Sequence, residues 1–168
     1  LPLLKTYAKS HCGNLIDIST YSFTVSDTLR EIIIKTWDAN TGNIETIHNG
    51  VNPDKFRPMD ADEHLVDKFG LNGKTIVFVG NLGPWHGIEF LLRAFPYLKR
   101  NHPDLKLLVV GGDKENVNRY KKKAGDGIIF TGKVSYDEVP SYINLADLCV
   151  APYPNIDFGF CPFKILEY

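Results

Sequence analysis

Thr75-Ile76-Val77-Phe78-Val79-Gly80-Asn81-Leu82-Gly83-Pro84-Trp85-His86-Gly87 runs from five β-prone residues, four of them apolar, into a turn spaced by glycines. A near-continuous apolar run closed by glycine is the pattern of a strand buried on both faces. Just beyond it, Ile88, Leu91, Leu92, Phe95 and Leu98 fall on one helical face, so the stretch predicts strand, turn and crossover helix. Pro96 removes an intrahelical hydrogen bond and is expected to bend or end the regular part. The same unit recurs downstream. Leu105–Val110 runs into Gly111-Gly112, Ile128–Phe130 into Thr131-Gly132, and Leu148–Val150 into Ala151-Pro152. The implied architecture is an α/β, Rossmann-like parallel sheet with flanking helices.

Smaller signals fit that frame. Ser135 followed by Glu138 reads as a capping box, with Val139, Tyr142 and Ile143 as the buried face of a short helix. Asp113 reads as a turn or N-cap residue, and Lys121-Lys122-Lys123 as a solvated helix face. Upstream, Tyr21–Val25 predicts a strand, Ser26 an N-cap, Leu29, Ile32 and Ile33 a helical face, and Ile44–Ile47 a second strand. Asn49-Gly50 and Asn52-Pro53 are turn signals, followed by a polar, proline-bearing segment. The expected division is therefore 1–52 and 53–168.

The chain has 168 residues, 43% hydrophobic and 23% charged, with a net charge of −1. A general nucleic-acid surface needs a basic excess to neutralise phosphates, so nucleic acid is not an expected partner. No apolar run reaches membrane-spanning length, and Cys12, Cys149 and Cys161 are too scattered for a disulfide framework or a zinc site. With no N-x-S/T acceptor either, a cytoplasmic location is expected.

Chemistry concentrates at two places. The Gly80–Gly87 turn would offer backbone amides, with a helix N-terminus behind them, to a diphosphate. Its spacing is neither G-x-G-x-x-G nor the P-loop pattern, which weakens both the NAD and the P-loop readings. In the last segment, Phe160-Cys161-Pro162-Phe163-Lys164-Ile165-Leu166-Glu167-Tyr168, Lys164 and Glu167 lie three residues apart. They would share one face of a helix at the C-terminal edge of the sheet, where α/β folds hold nucleotides. A carboxylate suits vicinal hydroxyls and an ammonium suits a leaving diphosphate. The competing readings are an i,i+3 surface pair for Lys164 and Glu167, and simple closure of the turn over apolar helix residues for Trp85.

The ordered series is specific: Asn49-Gly50-Val51-Asn52-Pro53 with Phe56 and Pro58, the strand ending in Gly80, Trp85-His86-Gly87, Gly111-Gly112, Phe130–Val134, Ala146-Asp147, Ala151–Tyr153, and Pro162-x-Lys164-x-x-Glu167-Tyr168. From about residue 20 onward it resembles the family 4 type of retaining glycosyltransferases, glycosyl transferases group 1. The resemblance implies a GT-B architecture, of which this chain would hold the C-terminal donor-binding half and a remnant of the N-terminal, acceptor-side domain. Residues 53–168 would then bind the donor, truncated at their C-terminal end. Gly80, Asn81, Trp85, His86 and Gly87 would lie near the diphosphate, and Gly132, Lys133 and Val134 near the base. Lys164 would clamp the phosphates and Glu167 the ribose.

Three positions depart from the family pattern. Asn81 stands for the usual arginine and His86 for the usual lysine; both can donate hydrogen bonds but bring less charge. The usual acidic residue eight positions before the ribose glutamate falls on Gly159, leaving Asp157 to substitute in the catalytic set with Lys164 and Glu167. The implied activity is transfer of a sugar from a nucleoside diphosphate sugar to a hydroxyl of a glycan, lipid or small molecule, with no cofactor and no metal, the fragment being inactive alone. Peripheral membrane association through the missing N-terminal domain is compatible with it. A non-catalytic nucleotide-binding module and another enzyme of the same architecture, such as a sugar-nucleotide epimerase, remain as alternatives.

Overall fold

A computed structural model describes residues 11–37, 41–154, 159 and 161–168. Asp157 and Phe160 lie outside the described residues. The chain divides into two compact units, Leu1–Gly50 with Ile156–Phe163, and Val51–Asn155 with Lys164–Tyr168. The division read from the sequence was a single break after residue 52.

In the first unit, helix α1 covers residues 11–18, strand β1 Ser22–Thr24, helix α2 Asp27–Trp37, and strand β2 Ile44–Thr46. β1 and β2 pair in parallel. Ser26 caps α2, its hydroxyl accepting from the Leu29 amide at 3.0 Å. The buried face of α2 is not the triplet expected from spacing: Leu29, Ile33, Ile34 and Trp37 pack with Ile16 and Ile44, leaving Ile32 outside that cluster.

The second unit carries the four-stranded sheet β3 (Thr75–Val79), β4 (Lys106–Val110), β5 (Ile128–Gly132) and β6 (Leu148–Cys149). The order is β5-β4-β3-β6, parallel throughout. The period-2 alternation of a strand sends its residues to two faces. Ile76, Phe78, Leu107 and Val109 pack under helices α4 (Ile88–Asn101) and α5 (Lys114–Lys121). Val77, Val79, Leu108 and Val110 pack under α3 (Glu63–Phe69) and α6 (Val139–Ile143). Helices therefore cover both faces, which explains why β3 and β4 read as unbroken apolar runs. A last short helix, α7 (Phe163–Glu167), follows β6.

Two local expectations are corrected. Pro96 does not end α4, which continues five residues past it to Asn101. The proline forfeits only the bond to the Leu92 carbonyl, while Leu91, Leu92 and Phe95 are buried on the sheet and hold the helix in place. At α6 only half of the capping box forms. The Glu138 carboxylate accepts from both the Ser135 amide (3.0 Å) and its hydroxyl (2.7 Å), and the helix starts at Val139. Asp113 caps α5 as expected, accepting from the Asn116 amide at 2.8 Å.

Candidate functional site: a buried lysine at the sheet's switch point

β3 is followed by β4 on one side and flanked by β6 on the other, so the strand order reverses between β3 and β6. In open α/β sheets ligands bind outside the C-terminal ends of the strands at such a point. Gly80, Gly111 and Gly132 all lie there with positive φ. Gly111 is required: a Cβ on it would lie 2.4 Å from the Gly80 carbonyl, so β3 and β4 can end this close only without a side chain.

The Gly80–Gly87 turn is seated by Leu82, which is buried against Gly112 and Val117. Its amides are less available than the sequence implied. Gly80 N–H donates to the Val110 carbonyl (2.9 Å), Gly83 N–H to Asn81 Oδ1 (3.3 Å) and His86 N–H to the Gly83 carbonyl (3.1 Å). His86 Nδ1 lies 2.6 Å from the Asn81 carbonyl, an atom that only accepts, so Nδ1 carries the proton. Burial and the nearby Lys164 charge lower the imidazole pKa from 6.5. At neutral pH the ring is therefore uncharged, its one N–H is spent on Asn81, and Nε2 is an acceptor. The expectation that neutral His86 donates to a phosphate is corrected on that ground. Gly87 serves packing: a Cβ there would sit 1.6 Å from the Pro152 carbonyl. Trp85 is half exposed, its ring edge-on to His86.

Lys164 occupies the centre. α7 turns it inward until it is only 7% exposed, and its ammonium has no hydrogen-bond partner among the described residues. Instead it stands 4.6 Å from the Phe78 ring centroid and 5.2 Å from that of Tyr153. It also lies so close to Gly80 that a Cβ there would come within 2.5 Å of Nζ. Burial lowers its pKa to about 8, with Glu167 raising it in opposition. A buried, unpartnered ammonium is costly and calls for an anion. Lys164 and Glu167 are thus not a surface ion pair; Glu167 instead accepts from the Tyr136 hydroxyl at 3.1 Å.

Tyr168 fixes this helix to the sheet. Its hydroxyl accepts from the Val79 amide (3.1 Å) and donates to the Val150 carbonyl (3.3 Å), bridging β3 to the end of β6 across the switch point. Beside β5, Gly132 and Lys133 line a hollow of about 490 Å³ that Asp113 and Phe130 also border. Lys133 is exposed and Gly132 has open space where a Cβ would be. Val134 is partly buried and packs against the core cluster that includes α6. In the first unit, Gly159 has no room for a side chain: a Cβ would lie 2.5 Å from the Leu29 amide. Among the described residues, no group of His, Cys, Asp and Glu is placed to hold a metal, and no helix is long and apolar enough to cross a membrane.

The sequence profile of the glycosyl transferases group 1 family matches residues 73–168, more than half of the chain. The chain belongs to that family. An uncharacterized glycosyltransferase of Methanocaldococcus jannaschii is 28% identical over 134 residues, covering 77% of this chain and 34% of its own length. The GDP-mannose-dependent alpha-(1-6)-phosphatidylinositol monomannoside mannosyltransferase of Mycolicibacterium smegmatis is 30% identical over 158 residues, covering 90% of this chain and 40% of its own. The crystal structure of Anabaena HepE in complex with UDP and glucose shares the fold of this group 1 chain, at TM-score 0.71 and 18% identity over 86% of it and 41% of HepE. The chain thus spans between a third and two fifths of the length of these two curated relatives.

Proposed function

We propose that this chain supplies the donor-binding part of a retaining glycosyltransferase, which moves a sugar from a nucleoside diphosphate sugar to an acceptor hydroxyl. The observation that carries the reading is Lys164: a buried ammonium without a hydrogen-bond partner, at the switch point of a parallel sheet and beside a glycine that leaves its face open. A diphosphate placed there would satisfy the ammonium, and the ammonium would stabilise the charge that grows on the leaving diphosphate in the transition state. Glu167 lies one helical turn on, where its carboxylate would accept from the two ribose hydroxyls. The base would rest against Gly132 and Lys133. The names of the relatives support the same reading, since the mycolicibacterial one uses a GDP-sugar and HepE was crystallised with UDP and glucose.

One further reading has an observation of its own. Neutral His86 and the closed space at Gly159 remove a charge and a carboxylate from the usual set, as a nucleotide-binding module without transfer activity would. The two readings separate in one assay. Incubating the intact protein with UDP-, GDP- and ADP-sugars and an acceptor panel should release nucleoside diphosphate and give a glycoside of the donor's anomeric configuration, read by NMR. Nucleotide binding without any turnover would favour the module, and an inverted product would contradict retention. The 168-residue chain by itself is expected to bind nucleotide with little turnover.

A further inference from the structure

We propose that Tyr136 is a positioning residue for nucleotide recognition: its hydroxyl holds the Glu167 carboxylate in the orientation that reads the ribose, an inference that rests on the donor-site reading above. The 3.1 Å hydrogen bond from Tyr136 to Glu167 Oε1 is the one polar contact of that carboxylate among the described residues. Glu167 is the last residue of α7, and without such a bond its side chain would have to be ordered by the ligand itself. Tyr136 is itself held. Lys55 Nζ stands 4.0 Å from its ring centroid, and the Phe56 ring packs against it at 5.6 Å with a 52° tilt. Lys55 is in turn tied to Asp137, the next residue along.

The geometry leaves the carboxylate able to work. A carboxylate has about four acceptor sites. Tyr136 uses one of them on Oε1, so Oε2 and the second lone pair of Oε1 remain for two vicinal hydroxyls. The phenol can only strengthen that arrangement, because desolvation and the Glu167 charge raise its pKa and keep its proton on. Its ring also stands two residues beyond Val134, on the strand-end segment assigned to the base. The inferred path therefore runs from Lys55 and Phe56, through Tyr136, to Glu167 and the ribose.

The test compares ribose with 2′-deoxyribose. The best-bound of UDP, GDP and ADP, its 2′-deoxy counterpart and inorganic pyrophosphate are titrated calorimetrically into the intact protein and its variants. The wild type should prefer the ribonucleotide by tenfold or more, and Glu167→Gln should erase that preference. Tyr136→Phe keeps the ring and removes only the hydroxyl; it should reduce the preference three- to tenfold while pyrophosphate affinity stays within twofold of wild type. A preference erased by Glu167→Gln but untouched by Tyr136→Phe overturns the role of Tyr136 and leaves the donor site standing. No preference in the wild type, or one indifferent to Glu167→Gln, overturns both. A Tyr136→Phe variant that weakens pyrophosphate and nucleotide equally also overturns the proposal, because that is general loosening and not ribose reading.

Discussion

Lys164 is a residue whose cost in the free protein and whose proposed use on a diphosphate have one origin. Burial disfavours its charged form, which is why its pKa falls to about 8. Replacing it by methionine keeps much of the volume and removes the desolvated charge. Lys164→Met should therefore raise stability by about 1 kcal/mol, roughly 2–4 °C in Tm by differential scanning fluorimetry, while nucleoside diphosphate affinity falls to that of the nucleoside. A lowered Tm would mean that the contacts with Phe78 and Tyr153 outweigh the desolvation. The same pKa fixes a pH dependence. The free ammonium loses its proton through about pH 8, whereas a bound diphosphate favours the protonated form, so binding takes up a proton above that pH. Nucleoside diphosphate affinity measured from pH 7 to 9.5 should be level at first and then fall, approaching about tenfold per pH unit. A profile that stays flat through pH 9.5 would remove Lys164 from the binding step.

Among the elements, the β3–α4 turn and α7 form the site together, and two glycines of the turn do different jobs. Gly80 leaves room for the ammonium, whereas Gly87 leaves room for the Pro152 carbonyl. Gly80→Ala should weaken nucleoside diphosphate binding by tenfold or more in a chain that still folds. Gly87→Ala, at φ +68 and against backbone, should cost several kcal/mol and show as loss of the cooperative melt. Equal loss of fold in both variants would contradict the distinction. The strands were legible in the sequence, because apolar runs closed by glycine have few other solutions, and the pairing of this turn with Lys164 came from the family resemblance; the helices over residues 11–18 and Glu63–Phe69 were not read. What was not legible depends on contacts distant in the chain. Nothing in the spacing shows that Pro152 fills the space above Gly87, that Asn81 takes the His86 proton, or that Tyr136 and Tyr168, 32 residues apart by number, brace one short helix. Tyr168 could have been suspected from its place at the end of the Pro162–Tyr168 motif; Tyr136 carried no signal beyond an aromatic in a polar turn.

Across the whole molecule, the two units differ in how much backbone is shielded. β3 and β4 lie inside a sheet covered on both faces, while β1 and β2 form a pair of three-residue strands. Native-state hydrogen exchange should find the slowest amides in β3 and β4 and faster exchange in β1 and β2; the reverse order would contradict this account of the core. In the proposed site Lys164 is the principal charge on the diphosphate. That role is tested most directly by titrating a nucleoside diphosphate and its parent nucleoside into wild-type and Lys164→Met protein. A large affinity gap between the two ligands is expected in the wild type and should collapse in the variant, with nucleoside affinity unchanged. A gap of equal size in both proteins would contradict it.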